Sequence, residues 1–525
     1  MTALAQNLTI YHLVFTVLSF YIIQILYKLL LRPLLQLRTY KKVPDTLIRY
    51  NIGFKTVWEY ADTKTQSFEP KDNFPFLITE KNTLLLKYPN LKAVVSNFFM
   101  KTRIALTDHE LTAELMKNPD NYDAVNFSTM IGKRYLCHSL ICVSGNDWKR
   151  QRKIISKAFD FQSIQKIVPI IQEVAKELVE NPYFLNEKEP QMLKQIFVGY
   201  TWEAFSRSFF GDDLKNYTID GQPFGKSLES LMRNDLAVYF TLQYQLFGEK
   251  AALWNSTIRN HRQQVIELGK VTTKIIRDLT QRIQQGEMKN PDGRKGIVEL
   301  LLENSTENEQ LTTLELIANF LGFSFAGIDS TSNTLSSLLL CLDTYPQTKE
   351  KVLGDIQSHW DGVSPLNLQI LNEMEYLHAF ILETLRVMSP GPGTLIKIAR
   401  QDHFIGSIPI KKGYQVGGEF SPTWFSPKWI KNPHMFQPER WIKGHEAYQQ
   451  MDDPFVFLPF SAGARNCIGQ YFGMTSIKIA ACYFLTRFDF ALPAGFKLAP
   501  MMQRAFREPQ EPLKMFIKAK DNRNQ

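Results

Sequence analysis

One cysteine stands in a setting that can hold it as a thiolate. Cys467 closes the run Phe460-Ser461-Ala462-Gly463-Ala464-Arg465-Asn466-Cys467, followed by Ile468-Gly469 and a helix-like stretch reaching about Arg487. A thiolate needs its charge stabilised, and a helix N-terminus offers partial positive charge and free backbone N–H groups. Gly463 and Gly469 carry no Cβ, so the backbone there can lie against a flat macrocycle. Arg465 adds a permanent cation for a carboxylate carried by that macrocycle. A buried structural cysteine requires none of these neighbours. Together they suit a thiolate ligand to haem iron, which pushes electron density toward the metal.

Three further constellations carry chemistry or hold it in place. Ala326-Gly327-Ile328-Asp329-Ser330-Thr331 lies in the middle of a long apolar stretch. Small residues at 326 and 327 would open a groove in a helix, and an acid beside a hydroxyl can move protons. The plainer alternative is that Asp329 and Ser330 satisfy each other inside the helix. Glu383 and Arg386 stand at i and i+3, on one helix face, where they can pair. Trp148 and Arg152 stand at i and i+4, again on one face. A half-buried Trp beside a solvated Arg is the bland reading of that pair.

Taken together these segments resemble the cytochrome P-450 family of haem-thiolate monooxygenases, of the eukaryotic membrane-anchored type. The landmarks fall in the family's order from Trp148 to Gly469. The resemblance implies haem b as cofactor, with Cys467 as axial ligand and Phe460, Gly463, Gly469 and Ala326 beside the ring. It implies propionate contacts from Trp148, Arg152 and Arg465. It implies oxygen activation at Asp329, Ser330 and Thr331, and a structural charge cluster of Glu383, Arg386 and Arg440.

The chain also departs from the family pattern. Ser330 stands where Thr is usual, keeping the hydroxyl and losing a methyl. Trp441 replaces the Phe of the P-E-R-F element. Lys397 stands where an Arg often binds a propionate, and an ammonium cannot form the planar fork of a guanidinium. Trp424-Phe425-Ser426-Pro427 replaces a His-Arg-Asp-Pro stretch. Ala326 stands where fatty-acid ω-hydroxylases often carry the Glu that esterifies haem, so no such link is expected.

The elements that must position these residues follow from pattern and length. A chain of 525 residues shows no repeat, low-complexity tract or long linker, so one large catalytic domain, residues 32–525, is expected behind an anchor, residues 1–31. The first charged residue is Lys28, and Leu8 to Leu31 is long enough to span a bilayer as a helix. Lys28, Arg32, Arg38, Lys41 and Lys42 then place that flank in the cytosol. No basic n-region or cleavage site marks a removable signal peptide. The five cysteines form no CxxC pair and no disulfide framework, which fits a reducing compartment. A formal charge of +9 without zinc spacing or a basic tail argues against nucleic acid.

Residues 32–110 read as short strands and helices, 147–290 as mostly helical, and Asn290-Pro291-Asp292-Gly293 as a turn. Thr313 to Thr344 reads as a long buried helix, capped by Thr312 or Thr313 and stopped before Pro346. Glu315, Asn319 and Asp329 argue against its being a second membrane span. Short β-like runs dominate from about 391 to the final helix. The expected fold is therefore mainly α with a minor β-sheet region, the cytochrome P-450 fold.

The leading functional expectation is a monooxygenase of an apolar small-molecule substrate in the endoplasmic reticulum membrane, single-pass, with a cytosolic catalytic domain. NADPH would supply electrons through a separate flavoprotein reductase, with cytochrome b5 as a further donor, because no flavin or nicotinamide motif is present. Two alternatives stay open: a reductase-independent isomerase or dehydratase of oxygenated lipids, and a non-catalytic haem sensor. The stretch Phe127 to Leu140, with Phe127, Met130 and Leu136, and the stretch Gly391 to Ile396 are expected over the haem by analogy.

Overall fold

The computed structural model describes residues 90–98, 101–124, 129–180, 187–210, 217–286, 297–299, 310–499, 501–503 and 506–520, with isolated residues between them and short stretches before residue 49. Phe127, the turn at 290–293 and much of the expected anchor lie outside the described residues. Within residues 1–31, residues 15–24 are helical and expose Phe15, Val17, Leu18 and Phe20. Among the described residues no helix is long and apolar enough to cross a membrane.

The largest sheet is built from β1 (Thr46–Ile48), β2 (Ala93–Phe98), β3 (Lys101–Leu106), β4 (Tyr122–Ala124) and two later strands. The short strand β5 is Gln191–Met192, β6 is Lys397–Ala399 and β7 is Gln415–Gly418. The order is β1-β2-β3-β7-β6-β4. Strand β2 shows why the sequence extends here. Its side chains alternate, so Ala93 and Val95 meet Ile104 and Leu106 on one face while Val94 meets Ala105 on the other. Lys397 sits inside this sheet, opposite Ala124 on β4 and Val416 on β7. At the C-terminal end, β8 (Phe488–Ala491), β9 (Met501–Gln503), β10 (Arg507–Pro509) and β11 (Lys514–Ala519) follow the last helix. Strand β11 pairs with β8 and β5, while β9 and β10 form a hairpin.

The helices that frame the site are α1 (Met130–Arg134), α2 (Gly145–Ser156), α3 (Phe161–Glu180), α4 (Leu193–Phe210), α5 (Phe224–Tyr239), α6 (Ser256–Gln284), α7 (Thr313–Thr344), α8 (Glu375–Met388) and α9 (Gln470–Arg487). Helix α3 carries Ile164, Ile167, Val168, Ile171, Val174, Ala175 and Leu178 at three- and four-residue spacing. That stripe is buried and packs on α4 and α9. Burial of each large aliphatic side chain contributes about 1.5–3 kcal/mol.

Helix α7 is apolar on nearly every side and forms the centre of the molecule, packed against α4, α8 and α9. Thr312 caps its start and Glu315 completes a reciprocal capping box, so the sequence fixes its first turn. Several of its interior hydroxyls are satisfied within the helix. Ser324, Thr334 and Ser336 each donate to the carbonyl four residues back.

Glu383, Arg386 and Arg440 meet in a buried cluster, each 1% exposed or less. Arg386 holds Glu383 through two hydrogen bonds of 2.8 and 3.0 Å, and Arg440 lies 3.3 Å away. Arg386 also donates to the carbonyls of Trp424 and Pro433, which ties α8 to the segment that follows. Burial alone would raise the Glu383 pKa, but Arg386 and Arg440 outweigh it and hold the carboxyl below its ordinary range. Trp441, the residue that replaces Phe, donates its indole N–H to Glu383 at 2.9 Å. Phe425 lies under the Arg386 guanidinium, 5.4 Å from ring centroid to Cζ.

Candidate active site

The loop that carries Cys467 is shaped by two backbone turns. Ser461 and Gly463 both adopt left-handed conformations, with φ of 60° and 73°. The chain then folds back, and the Cys467 N–H donates to the Phe460 carbonyl at 2.9 Å. Cys467 lies two residues before Gly469, the N-cap of α9. By area its side chain is exposed, yet protein surrounds it closely, as for a group lining an internal recess. Burial pushes the thiol pKa up, while the Gly469 N–H and the Arg152 guanidinium pull it back toward the thiolate.

A set of cations converges beside this loop. Arg152 donates to the Asn466 carbonyl at 3.0 Å and to its side-chain oxygen at 2.6 Å. Arg465 donates to the Val143 carbonyl at 2.9 Å and stacks over Trp148, 4.6 Å from the ring centroid. Lys397 reaches toward the same group from β6, over the Tyr122 ring. Burial, reinforced by Arg400 and Arg152, pulls Arg465 down to about 10. Burial and then Arg465 pull Lys397 down to about 8. Among the described residues none of Arg152, Arg465 and Lys397 has a carboxylate within ion-pair distance. Desolvated like charges without an acidic partner are costly unless an anion joins them. A macrocycle bearing carboxylates meets that requirement, so these residues fit haem as well as the thiol does.

The third wall is α7. Its residues 316–324 and 331–342 are buried, but Phe325 to Ser330 are half-buried, which leaves a short open window. Ala326 and Gly327 lie in it, and a Cβ added at Gly327 would meet nothing within 4 Å. Asp329 and Ser330 do not bond each other. Ser330 donates to the Ala326 carbonyl at 2.6 Å, and Asp329 pairs with Lys194 of α4 at 2.6 Å. Thr331 is buried at 6% exposure, on the far side of the window's edge.

One segment joins these walls. Leu140 N–H donates to Asn319 of α7 at 2.8 Å, and Val143 accepts from Arg465 three residues later. Gln151 of α2 donates to the His138 carbonyl and accepts from Asn319. Arg150 pairs with Glu315, so it faces the fold, while Lys149, Lys153 and Lys157 remain exposed. Upstream, the buried Asp235 carboxylate accepts the Met130 and Ile131 N–H groups of α1 and contacts His261 of α6 at 3.0 Å. Of the stretch expected over the haem, Met130 and Leu136 are buried. Gly391 and Thr394 to Ile396 are half-buried or exposed beside β7.

Sequence reasoning missed Lys194, Glu508, Asn466 and the indole N–H of Trp441. Asn466 sits inside the cysteine motif at an unspecified position. Lys194 and Glu508 carry no local signal, since their partners are far away in the chain.

A cysteine before a helix, a cation cluster and a cut-away central helix, on a mainly helical fold with small sheets, define the haem-thiolate class. The family profile of Cytochrome P450 matches residues 86–516, and the chain belongs to that family. It is similar to Cytochrome P450 3A13 of Mus musculus, 26% identical over 427 residues, which covers 80% of this chain and 83% of that protein. It is similar to Cytochrome P450 3A7 of Homo sapiens, 27% identical over 368 residues, covering 68% and 70%. In fold it is similar to the cytochrome P450DA heme domain, with a TM-score of 0.70 at 20% identity, covering 84% of this chain and 92% of that one. As in its family, the cofactor is haem b with a cysteine thiolate as axial ligand, and the protein is an oxidoreductase of the monooxygenase type.

Proposed function

We propose that the protein inserts one atom of dioxygen into an apolar organic substrate and reduces the other to water. The carrying observation is that Asp329 and Ser330 stand side by side in the one half-buried window of α7, between the buried runs 316–324 and 331–342. Bound haem supplies the redox chemistry on dioxygen. Cys467 would hold its iron, with the Gly469 N–H and Arg152 stabilising the thiolate. Arg152, Arg465 and Lys397 orient the carboxylates, with Trp148 supporting Arg465. Phe460, Gly463 and Gly469 would form the surface beside the ring. Asp329 holds and moves the proton, and Ser330 presents a hydroxyl oxygen as acceptor while its O–H donates to Ala326.

Electrons come from NADPH through a separate flavoprotein reductase, with cytochrome b5 as a second donor. The exposed Lys149 and Lys153 on α2, with Lys157 just past its end, suit an acidic partner. The apolar run Leu8 to Leu31 anchors the chain once in the endoplasmic reticulum membrane, with the catalytic domain in the cytosol. Exposed Phe247, Leu253 and Trp254 give that domain a second apolar contact with lipid.

The test is a binding screen of sterols, fatty acids, terpenoids and aromatics by Soret shift, followed by turnover with NADPH, reductase and isotopically labelled dioxygen. One labelled oxygen in the product supports the reading. An unlabelled, rearranged product formed without reductase assigns an isomerase instead.

A further inference from the structure

The window of α7 is touched at two points by the C-terminal hairpin. Phe506 packs on Phe325 with ring centroids 5.7 Å apart. Glu508, on β10, pairs with Lys194, which at the same time holds Asp329 at 2.6 Å. The two contacts are aligned. Phe325 and Asp329 stand at i and i+4 on α7, so they share a face. Phe506 stands at the bend that enters β10, and Glu508 follows two residues later within the strand. The segment entering β10 and the strand itself therefore reach one face of the helix at two points, once ring to ring and once through an ammonium.

Lys194 is well placed to be shared. It opens α4 directly after β5, and its backbone is fixed by Met192 paired with Lys514 and by the Leu193 N–H bonded to the Leu513 carbonyl at 3.0 Å. Its side chain is 17% exposed, against 30% for Asp329 and 10% for Glu508. Two carboxylates thus compete for one partly desolvated cation, and the more buried one belongs to the hairpin.

We propose that Lys194 is a positioning residue through which the hairpin controls Asp329. The proposal rests on the proton-carrying role of Asp329 given above. While the hairpin packs on Phe325, Lys194 bridges both acids and pins the Asp329 carboxylate. A pinned carboxylate cannot turn to exchange a proton with solvent. A molecule bound beside the α7 window that lifts Phe506 from Phe325 carries Glu508 with it, two residues along the chain. Glu508 then draws Lys194 away, and Asp329 is released. Ligand occupancy at the window and proton supply are coupled by this single ammonium.

The experiment uses the full chain with bound haem, reconstituted with NADPH and a flavoprotein reductase, and no added substrate. Rates of NADPH consumption are measured per carbon monoxide-binding haem, in water and in heavy water. Lys194→Met and Lys194→Gln should raise the substrate-free rate about fivefold, the equivalent of releasing one partly exposed ion pair. Both should shrink the solvent isotope effect. Glu508→Gln leaves Lys194 to Asp329 alone and should lower the rate and enlarge that effect. Lys194→Arg should behave as the parent. Rates unchanged or lowered in both neutral Lys194 variants, or Glu508→Gln matching the parent, would overturn the coupling. Asp329→Asn separates the two ideas. If it slows consumption while the Lys194 and Glu508 variants match the parent, only the coupling fails. If it leaves consumption unchanged, the role of Asp329 fails first.

Discussion

The Nζ of Lys194 lies 2.6 Å from Oδ1 of Asp329, across the contact between α4 and α7. The acid expected to move protons is therefore already ion-paired, not bonded to its neighbour Ser330. Its availability depends on a residue 135 positions away in the chain, and that relationship organises the expectations below.

Asp329→Asn keeps the shape of the side chain and removes both the ionisable group and the pairing with Lys194. Turnover should fall by about 10²–10⁴-fold, the usual range for general acid–base participation. The Soret titration with a confirmed ligand should be unchanged, since the pocket persists. Equal loss of affinity and turnover would give Asp329 a purely structural role.

Trp441→Phe should destabilise the protein by about 1.5–3 kcal/mol, the worth of a hydrogen bond to a charged group. The indole N–H reaches the buried Glu383 carboxylate at 2.9 Å, and Phe offers no donor. Urea unfolding at neutral pH measures this. An unchanged midpoint would show that the bond contributes nothing net.

Glu383 gives the cluster a defined pH dependence. Its folded pKa is held below the ordinary value of 4.5, so its stabilisation is present above that value and is lost as the pH falls through the folded pKa. Acid unfolding of the parent should be steeper than that of Glu383→Gln, which has already lost this ionisation. The variant should also be less stable at pH 7 by about 3–5 kcal/mol, because Arg386 and Arg440 are left buried without their partner.

Lys397 predicts a pH limit for cofactor affinity. Burial and Arg465 bring it down to about 8, and a bound carboxylate would favour its charged form. Binding should therefore take up a proton above that pH, and haem affinity should weaken by up to about tenfold per unit as the pH rises further. Lys397→Arg stays charged and should hold its affinity through the same range. Haem titration of the apoprotein by absorbance makes the comparison. Parallel profiles would exclude Lys397 from the site.

Deleting residues 1–31 should release the protein from membranes and leave haem binding intact. The apolar run ends near Leu31, and every residue assigned to haem lies beyond Asn146. Fractionation and absorbance of the truncated chain check both halves. Haem loss along with the anchor would place the domain boundary wrongly.

Local chemistry made much of this readable. Thr312 and Pro346 mark the ends of α7, because caps and prolines act within a few residues. The i, i+3 spacing of Glu383 and Arg386 exposed their pairing, while the role of Trp441 stayed hidden because a substitution pattern does not say where an indole N–H points. Lys149, Arg150 and Lys153 look alike in sequence, yet Arg150 turns inward to Glu315. Lys194 and Glu508 were illegible, since packing of α4 against the hairpin decides their contact and no periodicity encodes it. The family resemblance proposed residues for haem but said nothing of the ion pair that Asp329 makes with Lys194.

The central claim is that Cys467 ligates haem iron as a thiolate, and the reduced carbon monoxide difference spectrum of Cys467→Ala beside the parent tests it most directly. The parent should show the thiolate-type Soret band, and the variant should lose it even where haem is retained. The same thiolate-type band in the variant would contradict the assignment.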